Sequence, residues 1–206
     1  MKNTEQSTRN IVILDAGHGG LINGVYQTAG KRSPIWNNGS HYFEGVGNRE
    51  IVKKLTDRLQ KKGIEVFNAN DSEIDMPLRK RAKLINKKIK ANPDKKFIGI
   101  SIHSNGFHKE SAHGWSVYTY GKGSEESREM SNEVAHQMKK EFPDRRLRGE
   151  KSANFYILKY TKCPFILTEN FFHTNEYECR NILMTEKGQD KIVNFHFDFI
   201  LEHLNK

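Results

Sequence analysis

Two apolar runs, each ending in a histidine and a turn, constrain this chain more than anything else in it. Ile11-Val12-Ile13-Leu14 is a row of branched apolar residues, the pattern of a strand buried on both faces at the centre of a parallel sheet. It stops at Asp15-Ala16-Gly17-His18-Gly19-Gly20, where glycines around one histidine let the backbone approach a ligand closely. Phe97-Ile98-Gly99-Ile100-Ser101-Ile102 repeats the arrangement and runs into His103-Ser104-Asn105-Gly106. Ligand sites in open α/β sheets lie just past the carboxyl ends of the strands. The two histidines are therefore expected at one site.

The stretches between these runs supply helices. After the first turn, residues 21–43 have no clean period, but Tyr26, Trp36, Tyr42 and Phe43 point to a structured loop at the rim of a site. Ile51, Val52, Leu55 and Leu59 share one helical face, with Glu44 at or just before the first turn and Gly63 as the stop. A strand is expected at Ile64–Phe67, then a basic helix opened by Asp75 and Pro77 that buries Leu78, Ala82, Ile85 and Ile89. Past His103, a strand over Trp115–Thr119 and a helix over 124–141 follow, and 143–153 reads as a basic loop. Phe155–Leu158 and Phe165–Thr168 read as strands, the second ending at Glu169, and a last helix runs from Lys187. Alternating strands and helices give an α/β fold with a mostly parallel sheet.

At 206 residues the chain is expected to be a single domain, with residues 1–9 flexible and no separate wall-binding module. No apolar run approaches the roughly 20 residues that span a bilayer, so no membrane insertion is expected. The polar start MKNTEQSTRN has no secretory core, which places the chain as written in the cytoplasm until its release. A net charge of +9 favours an anionic partner: nucleic acid, an anionic membrane face or an anionic wall polymer. No nucleic-acid recognition motif accompanies it. Cys163 and Cys179 lack metal or redox spacing and are expected as buried free thiols.

The polar residues at strand ends and helix starts are His18, Glu44, His103 and Glu169. Two imidazoles and a carboxylate with an open fourth position form the donor set of a hydrolytic zinc site, and nitrogen donors disfavour Mg²⁺ and Ca²⁺. A further carboxylate is needed to move the proton of the attacking water; Glu169, beyond an apolar strand, is the candidate. With no HExxH, spacing alone leaves open a scattered set of polar residues. Trp36, Tyr26 and Tyr42 either stack on sugars or pin their loop. Asp15, Ser101, Ser104 and Asn105 flank the ligands, and Asp15 either orients an imidazole or stabilises its turn. Arg145, Arg146, Arg148 and Lys151 form a basic patch, either solvated or meeting anionic groups of a substrate. Asn105, Arg148 and Trp36 are the expected substrate contacts. Of the remaining histidines, His41 and His113 lie in loops near the expected site.

The order of motifs resembles the zinc-dependent N-acetylmuramoyl-L-alanine amidases. The matching pieces are Asp15–Gly20; Glu44 with Asn48; Leu78 and Arg81 leading to Asn86; Ser101–Asn105; Gly114 before the strand with Tyr118; and Glu169-Asn170-Phe171-Phe172-His173-Thr174-Asn175. The resemblance implies one Zn²⁺ per chain held by His18, Glu44 and His103, with Glu169 catalytic. It implies cleavage of the amide between N-acetylmuramic acid and L-alanine in peptidoglycan. The fold implied is α/β, a mostly parallel sheet of about six strands flanked by helices on both faces. Two departures stand out: the family usually carries glycine at Phe171 and alanine at Ile85. Phe171 is expected to reshape the pocket beside Glu169. Some members carry a long inserted helix that blocks the zinc; only one helix is expected here between His103 and Glu169, so no such block is expected. The missing leader resembles a phage or prophage lysis enzyme acting as a monomer. The rival readings are a zinc peptidase acting on stem peptides and a non-enzymatic protein that binds an anionic polymer.

Overall fold

A computed structural model describes residues 10–206, so the expected flexible segment 1–9 lies outside the described residues. The strands are β1 (Asn10–Ala16), β2 (Leu21–Ile22), β3 (Val25–Tyr26), β4 (Glu65–Asn68), β5 (Lys96–Asn105), β6 (Trp115–Thr119), β7 (Leu147–Ser152) and β8 (Phe165–Phe172). The α-helices are α1 (Glu44–Lys61), α2 (Leu78–Lys90), α3 (Glu125–Glu141), α4 (Tyr156–Tyr160), the single turn α5 (Glu176–Glu178), which runs on into a π-helical turn over Cys179–Leu183, and α6 (Glu186–Leu204). Six strands form one sheet in the order β4-β1-β5-β8-β6-β7. The first four run parallel, and β6 reverses direction against β8, with β7 parallel to β6.

The alternation along β1 explains the layering. Ile11 and Ile13 face α2 and α4, packing with Phe97, Ala82, Ile85, Ile157, Phe165 and Leu167. Val12, Leu14 and Ala16 face the other way, into a larger core filled by Leu55 of α1, Met130 and Val134 of α3, and Phe195 and Phe199 of α6. Helices thus cover both faces, as a central parallel strand requires. Burying side chains such as Phe195 and Phe199 stabilises the fold by about 1.5–3 kcal/mol each. Ser124 and Thr185 cap α3 and α6 by accepting from the Ser127 and Gly188 backbone N–H groups. Gly63, at φ 77°, ends α1 in the left-handed region that glycine tolerates best.

Three sequence expectations are corrected. Phe155–Leu158 is not a strand: Tyr156–Tyr160 is the short helix α4, which buries Ile157 and Leu158 against α2. A short apolar run fits either element by pattern alone, and packing decides. The basic segment around residue 150 is not a loop but the edge strand β7, whose charged side chains suit an edge and gave no apolar alternation to read. Finally, β8 does not end at Glu169; it continues to Phe172 and carries Glu169 within the sheet.

Candidate functional site

The β1 turn is fixed by side chains that bond its carbonyls. His18 has φ 65°, a left-handed conformation uncommon for a residue with a side chain. Its carbonyl accepts from Arg49 Nη2 at 2.9 Å and Asn70 Nδ2 at 2.9 Å. Arg81, buried, donates to the carbonyls of Ala16 at 3.0 Å and Met76 at 2.8 Å, and pairs with Asp15 and Asp75 at 3.2 Å each. Asp15 also accepts from Ser101 Oγ at 2.7 Å, which ties β1 to β5. Asp15 therefore stabilises the turn and its neighbouring strand. These bonds hold the His18 backbone in its unfavourable conformation, as strain at a site requires.

Glu44 is the first residue of α1 and is 2% exposed. Its Oε1 lies 3.2 Å from His18 Nε2 and 3.1 Å from His103 Nδ1. Burial disfavours its charge, but hydrogen bonds from His103 and His18 outweigh that and hold its carboxyl well below the usual range. One donor atom from each of His18, Glu44 and His103 lies within 4.8 Å of the other two. The imidazole rings meet edge to face at 5.0 Å between centroids. Gly17 makes the close approach possible: a Cβ there would overlap the His103 ring. Two nitrogens and one oxygen converging this way are a donor set able to hold a divalent metal ion.

Glu169 stands beside this group. In register it pairs with His103 on β5 and Ser116 on β6, so adjacent strands fix its place relative to His103. Its Oε2 is buried without a hydrogen-bond partner. Burial pushes its carboxyl up to about 7; the Glu44 charge adds to this, while His103, Lys31 and Lys151 oppose it. Asn170 next to it donates to the His103 carbonyl at 3.0 Å and accepts from Trp115 Nε1 at 2.8 Å, bracing the two strands.

His18, Glu44, His103, Asn105 and Glu169 all line one cavity of ≈ 510 Å³, whose lining also takes in Pro77, Leu78 at the start of α2, and Phe155 to Ile157. The other expected contacts lie elsewhere. Trp36 is 7% exposed and packs in the larger core together with Tyr42, so both pin their loop, and the expectation that Trp36 binds substrate is corrected. Tyr26 pins it too, donating to the Lys31 carbonyl and accepting from Gly45 N. Arg148 sits outside the cavity lining, over the Phe172 ring at 5.1 Å. Phe171 does not shape the pocket. Its ring is fully buried against Phe142 on the far side of the sheet, and its φ of 64° is where the family's glycine would be unstrained. His41 packs on Phe43, and His113 bonds its own loop at the Ser111 carbonyl.

Several residues escaped the sequence reading. His173 is buried, bonds Ser104 Oγ at 3.2 Å and lies 4.0 Å from Glu44 Oε2. Burial lowers its pKa. Glu178 accepts from the backbone N–H groups of Gly114 and Phe172, clamping the start of β6 to the end of β8. Lys31 reaches the cavity from the rim loop. That loop contains the hairpin β2–β3, whose Asn23-Gly24 turn at φ 50° and 78° is a signal legible in the sequence.

Residues 12–202 match the N-acetylmuramoyl-L-alanine amidase family. The chain belongs to that family. It is 29% identical to the endolysin of Bacillus phage SPP1 over 95% of this chain and 66% of that protein. It is also 27% identical to the uncharacterized protein YqiI of Bacillus subtilis, over 89% of this chain and 81% of YqiI. Among solved structures, an N-acetylmuramoyl-L-alanine amidase from Clostridium difficile 630 superposes with a TM-score of 0.80 at 27% identity, covering 97% of this chain and 99% of that one. The matched span contains every residue of the site, from His18 to Glu169.

Proposed function

We propose that this amidase-family chain is a zinc-dependent hydrolase that cuts the amide between the lactyl group of N-acetylmuramic acid and the L-alanine of the stem peptide in peptidoglycan. The observation that carries the reading is the convergence of His18, Glu44 and His103 beside an unpartnered buried carboxylate, Glu169, in one open cavity. His18 through Nε2, His103 through Nδ1 and Glu44 through Oε1 would hold the ion. The Zn²⁺ supplies Lewis acidity toward the scissile carbonyl and toward water.

The protein's own groups do the rest. Glu169, with a pKa raised to about 7, takes the proton of the attacking water and returns it to the leaving amine nitrogen of L-alanine. Glu44, ionised and held by two imidazoles, keeps a fixed negative charge across the cavity. Asn170 holds the His103 strand against β8, so the water-facing carboxylate and the ligand histidine keep one separation. Leu78, Phe155, Ile157 and Leu167 give the same cavity an apolar lining beside the polar groups. The test is product analysis by mass spectrometry of purified peptidoglycan treated with zinc-loaded protein. Intact stem peptides with a free N-terminal L-alanine are expected; peptides cut internally would make the chain a peptidase instead.

A further inference from the structure

Beyond the cavity, the sheet continues as a shelf that the proposed chemistry does not use. Leu167 lies two residues before Glu169 on β8, on the same face, and both line the cavity. Across the sheet Leu167 faces Tyr118 of β6, and Tyr118 faces Lys151 of β7. The contacts follow the register. The Tyr118 ring packs on Phe155 of the cavity wall at 5.2 Å between centroids, and Lys151 Nζ lies 5.6 Å over the Tyr118 ring. Arg148 completes the edge, with Nη1 donating to the His113 carbonyl at 3.1 Å and its Nε buried without a partner. On the other side, Lys31 projects to the cavity from the rim loop.

The charge pattern of this shelf differs from that of the nearby turn. Arg81 has two carboxylate partners and Arg49 has Glu73. Among the described residues, Lys31, Arg148 and Lys151 form no ion pair with any carboxylate. Three cations around an otherwise apolar, aromatic path are a receptor for an anionic group of an extended ligand.

Resting on the proposed amidase reading, we propose that the shelf of Tyr118, Arg148 and Lys151, faced by Lys31, is a subsite for a carboxylate on the stem peptide beyond the scissile amide, and that it makes the enzyme prefer stems bearing a free carboxylate over stems in which that group is amidated. The peptide lies along Leu167 and Tyr118, and its carboxylate is met by Lys151 and Arg148. Tyr118 gives the peptide a flat apolar floor and holds the Lys151 ammonium in place through its ring face.

The test compares two soluble N-acetylmuramoyl peptides that differ only in a free carboxylate or a carboxamide on the second stem residue. Wild-type protein is expected to show a kcat/KM about tenfold higher for the acid, about 1.4 kcal/mol, with a ratio that shrinks as salt rises. The double variant Arg148→Gln, Lys151→Gln is expected to bring the acid-to-amide ratio toward one, and Lys151→Arg to restore it. A general loss of fold would lower both rates and leave the ratio alone. A wild-type ratio near one, or a ratio untouched in the double variant, overturns the subsite. Calorimetric binding of the same two peptides to Glu169→Gln protein gives the ratio without turnover. If neither peptide is cut by wild type yet the acid binds tighter through Arg148 and Lys151, the subsite stands and the amidase reading fails.

Discussion

Glu44 and Glu169 line the same cavity, and their surroundings differ in kind. Glu44 opens a helix, lies against two imidazoles and has a third, His173, behind its other oxygen. The neighbouring turn that carries His18 is backed by Arg49, Asn70, Arg81 and Asp15, each with several partners. Glu169 emerges from the middle of a buried sheet and leaves one oxygen without a partner. One carboxylate is stabilised as an anion and the other is destabilised as one. The proposed function, holding a cation and moving a proton, calls for this division, because a single environment cannot shift two acids in opposite directions.

The comparison can be broken most severely at Glu169 itself. Glu169→Gln is expected to lower turnover by about 10²–10⁴-fold while keeping one metal per chain by elemental analysis; His18→Ala is expected to lose both. Full turnover in Glu169→Gln would remove the proton-transfer role. Next in size is the support of the ligand side. Arg81→Met leaves Asp15 buried without its cation and is expected to destabilise the fold by about 3–5 kcal/mol in urea denaturation. Gly17→Ala leaves the chemical groups in place but pushes the His103 ring aside, with an expected loss of roughly 10–100-fold in metal affinity, read by chelator competition.

The smallest effect sharpens the contrast through pH. Glu169 has a folded pKa raised to about 7 by burial. A raised carboxylate contributes stability that is fully present below its unfolded pKa, near 4.3, and is lost as pH rises through 7. In metal-free protein, Glu169→Gln is thus expected to melt about 2–6 °C higher than wild type at pH 8, for a gain of about 1–2 kcal/mol. The two melting curves are expected to converge near pH 4. Equal melting temperatures at both pH values would mean that Glu169 ionises freely.

Much of this was legible because the ligand side is built from strong local signals. Branched apolar runs gave β1 and β5, and helical periodicity gave α1, α2, α3 and α6. The strand-end rule then brought His18 and His103 together. What escaped had weak local patterns. Strand β7 is an edge with charged residues on it, and α4 is too short to show a period. Phe171 and Trp36 misled for one reason: sequence does not say which face a side chain takes after an irregular backbone step or within a long loop. At Phe171 a positive φ turns the ring into the core, and at Trp36 the rim loop folds inward. His173 gave no signal beyond its place in the Glu169 motif, since its partners Ser104 and Glu44 come from other elements.

The most direct measurement is a zinc titration of the metal-free protein by isothermal calorimetry, run beside the His18→Ala and Glu169→Gln variants. The account predicts one tight site in wild type, the same site in Glu169→Gln, and none in His18→Ala. Zinc binding that survives in His18→Ala at undiminished affinity, or that disappears with Glu169 alone, would contradict it.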